Sequence, residues 1–497
     1  MTYKLVTLGG DGTGPEVMRE GLRVLHAVSE KIGVTWDIED IPCGGQYYLE
    51  HGDLDWPEGS QQKCADADLI LLGAVGWPDP NGNGAPVLMS DGKMAGFSPV
   101  IGNRINLNLY ANVRPIKLYK GVSHRMHGGN KVVWEHDKVD MVIIRENTED
   151  LYAPTGGKLS PGGQAQVAID TRVITRRASE QVIRFAFELC RKRNKGAPKD
   201  GKKRVTAIIK DNVLHGCQLF RDVFFEIGEE YPDIEKDTAI VDAFTQWLIG
   251  QPEYYDVCVT TNMFGDIVTD LASVLQGGMG MAVGGNIGDN NAMFEPIHGS
   301  APKHAGKDKV NPAAMILSVK EGLAWLGDRK GDESLLKAAA AIEEAVKGAD
   351  VVISALGPNM DRKATGLPLV EGTRNILEAM KRHNITRYIG HGTPSILDPQ
   401  EKPTFQTRLI GYMGRTFLKR AYNELLGMTD LIKNSGLDWT IIRFTAPKDG
   451  EKKGKIRAGF YGTDKIGFPI TRADIAAFTA AQVDDPAYIH RAPAISN

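Results

Sequence analysis

Short, continuously apolar segments alternate along the chain with longer segments in which apolar residues recur every three or four positions. Segments such as LILLGAV at 69–75 and MVIIRE at 141–146 have the length and composition of buried strands. The segments at 14–33 and 178–193 have the period of amphipathic helices. Strands that alternate with helices in this way predict an α/β fold around a largely buried sheet.

A domain boundary is predicted at residues 347–350. There an Ala-rich helical pattern, SLLKAAAAIEEAV, ends and a strand-like segment, DVVISALGP, begins. Beyond the boundary, predicted helices at 369–384 and up to Asn434 alternate with predicted strands at 385–392 and 437–444. The chain is therefore expected to contain a second, smaller α/β domain.

Composition and charge exclude several classes of function. The 497 residues carry 59 basic and 62 acidic side chains, so neither nucleic acid nor an anionic membrane is an expected partner. The chain shows no export signal and no apolar run long enough to span a membrane, which predicts a cytoplasmic protein. The five cysteines form no C-x-x-C pair, so we expect reduced thiols rather than disulfides or a zinc site.

Three arginines are candidates for binding a substrate with two or three carboxylates. Arg104 and Arg114 follow a long Gly- and Pro-rich loop, and Arg145 follows an apolar strand. A guanidinium binds a carboxylate through two parallel N–H groups. Because a single arginine is usually only solvated, this prediction depends on the three acting together.

Acidic residues and one lysine predict a metal site beside a proton-transfer group. Asp266 and Asp270 are four residues apart, on one face of a helix predicted to begin near Gly265, and Asp242 ends the strand DTAIV. Lys210 ends the strand VTAIIK, where burial or a nearby cation would favour its neutral form for proton transfer. The alternative for the aspartates is an ordinary acidic helix N-terminus.

Over residues 3–347 the chain resembles the isocitrate and isopropylmalate dehydrogenase family. The matching strings include GGDGTGPEV, LLGAVG, LYANVRP, RENTEDLY, KDNVL, NMFGDIVTDLA and EPIHGSAP, in the family's order. The resemblance implies an isopropylmalate dehydrogenase-like two-domain α/β fold, with a large cofactor-binding domain at 1–115 and 280–347 and a small substrate and dimerisation domain at 116–279. It also implies metal-dependent oxidation of a substituted malate, followed by loss of carbon dioxide.

The resemblance assigns roles to residues at matching positions. Substrate binding is assigned to Ser98, Arg104, Arg114, Arg145 and Asn212. Proton transfer is assigned to Tyr152 and Lys210, and binding of Mg²⁺ or Mn²⁺ to Asp242, Asp266 and Asp270. In the family, the counterparts of Lys210 and Asp242 enter the site from the partner subunit, which predicts a homodimer with shared active sites.

The cofactor is expected against the loop at 295–311. The opening GGDGTGP lacks the G-x-G-x-x-G spacing of a dinucleotide-binding turn. The cofactor-binding residues that the resemblance implies are Glu295, His298, Gly299, Ser300, Ala301, Lys303, His304 and Asn311. NAD-dependent members usually carry an acidic residue where this chain has Lys303, and a cation there can pair with the 2′-phosphate of NADP. NADP is therefore predicted in preference to NAD.

The sequence indicates a substituted malate as the substrate but leaves several individual acids open. Ser98 matches a serine that binds the third carboxylate in isocitrate dehydrogenases, whereas Val100 and Ile101 resemble the apolar pocket of isopropylmalate dehydrogenases. The serine and the NADP-type loop together favour isocitrate. The acids 3-isopropylmalate, homoisocitrate, tartrate and D-malate stay open.

Residues 348–497 resemble the later half of an atypical short-chain dehydrogenase/reductase, through DVVISALGP, ITRYIGHGTPS, SGLDWTIIRF and ITRADIAAF. An incomplete Rossmann-like α/β region is predicted, because the opening strand and its Gly-rich phosphate loop are missing. Tyr461 and Lys465 have the reductase Y-x-x-x-K spacing, but they lie in a Gly-containing stretch. We expect an accessory or dimerisation module. The alternative functions are a reductase acting through this region and a noncatalytic NAD(P)-binding scaffold.

Overall fold

The computed structural model describes residues 1–82, 84–127, 129–347, 351–355, 357, 368–382, 385–402, 404, 408, 412, 415–416 and 418–497. The chain divides into two compact units, Met1–Lys347 and Gly348–Asn497. The further division of the first unit into a large and a small domain stays a prediction. No helix among the described residues is long and apolar enough to cross a membrane.

The first unit alternates strands and helices, as the hydrophobic pattern predicts. Its strands are β1 (Thr2–Leu8), β2 (Thr35–Asp40), β3 (Leu69–Leu72), β4 (Ala111–Lys117), β5 (His124–Met126), β6 (Gly129–Lys131), β7 (Asp140–Glu146), β8 (Gly156–Leu159), β9 (Val167–Asp170), β10 (Arg204–Ile209), β11 (Glu235–Ile240), β12 (Val257–Thr260), β13 (Val283–Ile287) and β14 (Ala292–Pro296). Its helices are α1 (Gly14–Ile32), α2 (Gly45–His51), α3 (Ser60–Ala65), α4 (Asn103–Asn106), α5 (Arg176–Arg193), α6 (His215–Gly228), α7 (Val241–Gly250), α8 (Asn262–Ser273), α9 (Ala313–Lys330) and α10 (Glu333–Lys347).

Ten of the described strands form one mixed sheet, in the order β11-β10-β12-β7-β4-β13-β14-β3-β1-β2. The four strands at each end run parallel, and the two groups are joined through antiparallel β4 and β13. Helices α5 and α6 pack on one face of β7, β12 and β10, and α7 and α8 pack on the other. Helices α1, α9 and α10 cover β1, β3 and β14. The predicted α/β fold around a buried sheet is confirmed.

An exposed two-stranded ribbon projects from this unit. β8 and β9 pair antiparallel, with Leu159 opposite Val167. All of their residues are exposed, including Leu159 and Ile169 at 65% and 60% of their full surface. The ribbon therefore presents apolar side chains that the described residues of its own chain leave uncovered.

An ionic network fastens α10 to the sheet. Glu343 of α10 forms ion pairs with Lys117 of β4 and, at 3.1 Å, with Lys320 of α9. Burial alone would raise the pKa of Glu343, but the hydrogen bond from Lys117 and the charge of Lys320 lower it to about 2. The carboxylate therefore stays charged in the folded chain well below neutral pH.

We expect Glu343→Gln to lower the free energy of unfolding by about 1–3 kcal/mol, because Lys117 loses its counter-charge and Lys320 keeps only its ion pair with Glu321. The folded pKa lies below the ordinary value of 4.5, so the ion pairs stabilise fully above that pH. Their contribution is lost as the pH falls from there toward 2. Thermal unfolding at neutral pH and at about pH 3 measures both effects.

The matched control is Glu333→Gln, at the start of the same helix, where the side chain is 84% exposed. An equal loss of stability in both variants at neutral pH would contradict the role of the network. So would a difference between wild type and Glu343→Gln that stays constant into acid.

The second unit is a smaller α/β structure. Its elements are β15 (Val351–Ser354), α11 (Pro368–Arg382), β16 (Arg387–Gly392), α12 (Lys419–Lys433), β17 (Asp438–Arg443), β18 (Pro447–Lys448), β19 (Arg457–Gly459), β20 (Ile470–Thr471), α13 (Arg472–Ala481) and β21 (Ala494–Ser496). Its described strands form a sheet in the order β15-β16-β17-β21-β19. Helices α11 and α12 pack on one face and α13 on the other, which confirms the predicted Rossmann-like region.

Several predicted features of the second unit can be located. Tyr461 is buried and Lys465 is exposed, in a stretch without helix, so the Y-x-x-x-K spacing is not aligned on a helical face. Residues 348–350 of the predicted boundary, Leu356 and Pro358 of DVVISALGP, and residues 383–384 of the predicted helix lie outside the described residues.

Candidate active site

The three predicted arginines lie together at the centre of the first sheet. Arg114 is on β4 and Arg145 on the adjacent β7, and both are buried, while Arg104 is in α4. Burial lowers the pKa of Arg114 to about 10, with Glu295 opposing this effect and the charges of Arg145 and Arg104 adding to it. Burial and Arg104 likewise lower the pKa of Arg145. Buried cations that repel one another form a site suited to anions.

Two carboxylates of the chain partly neutralise this cluster. Glu295 of β14 accepts a hydrogen bond from Arg104 Nη2 at 3.0 Å and lies 3.9 Å from Arg114 Nη2. Asp266 of α8 forms an ion pair with Arg145. Arg104 Nε is buried without a hydrogen-bond partner among the described residues. An excess of positive charge and an unused donor both fit a ligand with several carboxylates.

Asparagines orient the arginines, and the sequence interpretation missed them. Arg114 Nε donates to Asn112 Oδ1 at 2.6 Å, and Arg145 Nε donates to Asn262 Oδ1 at 2.8 Å. Asn112 donates in turn to Asn286 Oδ1 at 2.7 Å, and Asn286 donates to Glu295 at 3.0 Å. Asn112 and Asn262 lie within the strings LYANVRP and NMFGDIVTDLA, and this was the only signal available in the sequence.

Tyr152 borders the same cluster. Its hydroxyl donates to Asp266 Oδ2 at 2.5 Å, and its ring lies 5.2 Å from the Arg145 guanidinium carbon. Burial and the hydrogen bond to Asp266 raise the pKa of Tyr152 to about 12. The phenol is therefore protonated at neutral pH and able to donate a proton beside the arginines.

Asp266 and Asp270 share one face of α8, as predicted. Burial alone would raise the pKa of Asp266, but Arg145, the Tyr152 hydroxyl, Arg114 and Arg104 lower it. For Asp270, loss of solvent and the charge of Asp266 raise the pKa. The charge of Asp266 thus disfavours the charged form of Asp270. Two such neighbouring carboxylates are suitable ligands for a hard divalent cation, which would neutralise both.

Lys210 and Asp242 form a second cluster. Lys210 follows β10, and its Nζ lies 3.0 Å from Asp242 Oδ2. This contact lowers the pKa of Asp242. Asp242 is in the first turn of α7 and not at the end of a strand, because the extended backbone stops at Ile240. Within the described residues of one chain, no three His, Cys, Asp or Glu side chains form a metal-binding group. The predicted three-aspartate site stays a prediction that requires a second subunit.

The residues after Arg145 build the loop that carries Tyr152. Buried Glu146 accepts hydrogen bonds from the N–H groups of Thr148 and Glu149, at 2.6 and 3.1 Å. Asp150 accepts a hydrogen bond from the N–H group of Met263 at 3.0 Å. Because this contact caps α8, the helix begins at Asn262, three residues before its predicted start near Gly265.

Arg172 braces the same loop against α8. Its Nε donates to Asp150 at 2.6 Å, and its Nη2 donates to Thr261 Oγ1 at 2.9 Å. Asp150 is fully buried and has a positive φ of 70°. The buried ion pair therefore holds a backbone conformation that a non-glycine residue rarely adopts.

The loop at 295–311, here called the cofactor loop, carries the remaining predicted residues. Its first member, Glu295, faces the arginines, as described above. Ser300 Oγ donates to the carbonyl of Gly76 at 2.5 Å, and Asn311 Oδ1 accepts the N–H group of Ala313 at the start of α9. His298 Nε2 is buried with no hydrogen-bond partner among the described residues. That unused ring nitrogen fits a site that a polar ligand completes.

Lys303 and His304 are exposed on a single turn of 3-10 helix, Pro302–His304, in the cofactor loop. Gly299 is also exposed, and Ala301 has a positive φ of 42°. The exposed Lys303 ammonium group is therefore accessible to bind a phosphate group.

Two predicted substrate residues lie outside these clusters of contacts. Ser98 begins a π-helical turn, Ser98–Gly102, and its N–H group donates to Asp55 at 2.9 Å. Its hydroxyl has no hydrogen-bond partner among the described residues. Asn212 is exposed after β10, and its side chain likewise makes no hydrogen bond to the described part of the chain.

Comparison with known proteins agrees with this arrangement. The model of the isocitrate/isopropylmalate dehydrogenase family matches residues 4–364, and an NAD(P)H-binding family model matches residues 331–486. The 3-isopropylmalate dehydrogenase of Thermobifida fusca is 41% identical over 350 residues, which cover 69% of this chain and 90% of that protein. The homoisocitrate dehydrogenase of Methanocaldococcus jannaschii is 41% identical over 339 residues, 66% of this chain and 87% of that protein.

The fold is shared with a solved structure. A crystal structure of isocitrate dehydrogenase from Methylococcus capsulatus superposes with a TM-score of 0.57 and 32% identity, covering 70% of this chain and 92% of that chain. Sequence matches across most of the relatives' length and the family fold lead to one conclusion. The chain belongs to the isocitrate/isopropylmalate dehydrogenase family, and it is an NAD(P)- and divalent-metal-dependent enzyme that oxidises and decarboxylates a hydroxy acid.

Proposed function

We propose that the first unit oxidises isocitrate at its hydroxyl carbon, removes carbon dioxide and uses NADP as the hydride acceptor. The observation that carries the proposal is the cluster of Arg104, Arg114 and Arg145, whose charge exceeds that of its own carboxylate partners. Ser98 favours isocitrate among the substituted malates, because its hydroxyl is available to a third carboxylate. Exposed Lys303 and His304 favour the 2′-phosphate of NADP.

The second candidate substrate is 3-isopropylmalate. Val100 and Ile101 share the π-helical turn with Ser98. Val100 packs against a buried apolar cluster, as do Val75 and Leu107, whereas half-buried Ile101 belongs to no such cluster among the described residues. An apolar substituent could contact Ile101. The name of the Thermobifida fusca relative supports this alternative.

Different residues of the chain are assigned substrate orientation and proton transfer in the proposed reaction. A divalent cation held by Asp266 and Asp270 would polarise the substrate oxygens, and a nicotinamide cofactor held at the loop 295–311 would accept the hydride. The arginines orient the carboxylates, and Arg145 exchanges its contact with Asp266 for one with the substrate. Lys210 accepts the hydroxyl proton, and the Tyr152 hydroxyl donates a proton to the carbon that loses carbon dioxide.

A homodimer is part of the proposal. One chain presents Asp266 and Asp270 with the arginines, and presents Asp242 paired with Lys210. We infer that Lys210 and Asp242 complete the active site of the partner subunit. The exposed apolar ribbon of β8 and β9 supplies a surface that a second copy would cover.

The test is a steady-state comparison of isocitrate, 3-isopropylmalate, homoisocitrate, tartrate and D-malate with Mn²⁺ and either NADP or NAD. We expect isocitrate with NADP to give the highest kcat/KM, at least about tenfold above the other acids. A higher value for 3-isopropylmalate would overturn the choice of acid, and clear preference for NAD would overturn the choice of cofactor. Activity that survives EDTA would indicate a reductase acting without a metal.

A further inference from the structure

The first turn of α1 is bonded to both ends of the exposed part of the cofactor loop. At the near end, the Thr13 N–H group and hydroxyl donate to the Ser300 carbonyl, at 2.9 and 3.1 Å. The chain passes so close that a Cβ on Gly12, whose φ is +60°, would lie 2.2 Å from that carbonyl oxygen. This contact fixes the loop at Ser300.

At the far end, the loop is held by Glu16, one helical turn further along α1. Glu16 Oε1 accepts the N–H group of Gly306, and Oε2 accepts the N–H group of Asp308 at 2.9 Å. Arg19, also on α1, donates to the Asp308 carboxylate at 2.6 Å. A single carboxylate thus bonds two backbone donors, and a charged acceptor makes such bonds stronger than neutral ones.

The segment between these two attachments carries the predicted phosphate-binding side chains. Lys303 and His304 are exposed there and have no ion pair among the described residues. The flanking Ala301 and Asp308 have positive φ angles of 42° and 48°. Non-glycine residues keep such a backbone only where surrounding contacts hold it, and Glu16 and Arg19 supply those contacts at Asp308.

We propose that Glu16 is a positioning residue for the dinucleotide. It acts through the backbone of Gly306 and Asp308, and it holds Lys303 and His304 in the geometry that receives the cofactor. The inference rests on the proposed function, which assigns the loop at 295–311 to cofactor binding. It adds a residue of α1 that contacts neither the substrate arginines nor the proposed metal-binding aspartates, Asp242, Asp266 and Asp270.

The test compares Glu16→Gln and Glu16→Ala with wild type, and uses Glu30→Gln, exposed on the same helix, as the matched control. Binding of NADPH is followed by its fluorescence, and backbone hydrogen exchange is followed over residues 299–311. We expect Glu16→Ala to raise the NADPH dissociation constant about tenfold and to speed exchange at Gly306 and Asp308. Glu16→Gln keeps one acceptor oxygen and should lie between. KM for the acid should not change.

Faster exchange with an unchanged NADPH dissociation constant would overturn the proposal, and so would the same loss of affinity in Glu30→Gln. A rise in KM for the acid equal to the rise for the cofactor would also overturn it, because that result indicates general loosening of the fold. Wild type that binds NADPH without protecting 299–311 from exchange would instead contradict the assignment of the cofactor loop. The two failures are therefore distinguishable.

Discussion

Replacing Lys210 by methionine is expected to lower kcat by about 10²–10⁴-fold, because the group that accepts the hydroxyl proton is removed. The substitution should leave the fold intact. The Lys210 side chain is 28% exposed, and its one ion pair among the described residues is with Asp242, which is 68% exposed. Methionine matches the lysine stem in length and lacks the amine.

Lys203→Met is the matched control, since Lys203 precedes β10 and Lys210 follows it. Within the described residues its single ion pair, with Asp233, is long at 3.9 Å, so we expect near wild-type turnover. Steady-state kinetics with saturating acid and cofactor, together with a melting curve for each variant, make the comparison. Equal kcat in Lys210→Met and wild type would remove Lys210 from the proton-transfer role.

Asp270→Asn is expected to raise the Mn²⁺ concentration for half-maximal activity by at least about 10²-fold, because loss of a residue that only hydrogen-bonds to a metal ligand already costs about 10–100-fold in metal affinity. Asp266 has contacts from Arg145 and Tyr152, whereas Asp270 has no ion pair among the described residues. Burial and the charge of Asp266 raise its pKa, and the charges of Arg114 and Arg145 offset only part of this, so its charge lacks full compensation within the chain. A divalent cation supplies that compensation.

The metal titration needs a control aspartate and a metal-free baseline. Asp222→Asn, on the exposed side of α6 beside Arg221, should titrate like wild type. EDTA should abolish turnover in wild type, and added Mn²⁺ or Mg²⁺ should restore it. An Asp270→Asn titration that overlays the wild-type curve would show that Asp270 is not a metal ligand.

The elements that carry the site could be predicted, because their periodicity is strong. β7 and β10 are continuous apolar strands, and the amphipathic period of α5 is clear in the sequence. The proximity of Arg114 to Arg145 could be inferred only from the family resemblance. It depends on β4 pairing antiparallel with β7, which places Asn112 opposite Arg145, and no spacing in the sequence determines that register.

Side-chain partners across the sheet could not be predicted at all. The resemblance assigns Glu295 to the cofactor loop, but its carboxylate accepts a hydrogen bond from Arg104. The two residues are almost two hundred positions apart in the sequence. Asn112 and Asn286 link Arg114 to that carboxylate, and neither has a distinctive spacing. The same holds for Glu16, since its partners are backbone N–H groups that any sequence supplies.

We propose that one active site takes its arginines, Asp266 and Asp270 from one subunit, and Lys210 and Asp242 from another. Subunit mixing tests this directly. Equal amounts of the Lys210→Met and Asp270→Asn chains are unfolded together, refolded and assayed at an Mn²⁺ concentration that saturates wild type but not Asp270→Asn. Half of the dimers should be mixed, and each should contain one wholly wild-type site, so activity should return to about one quarter of the wild-type value. Activity no higher than that of the two variants refolded separately would contradict the shared site.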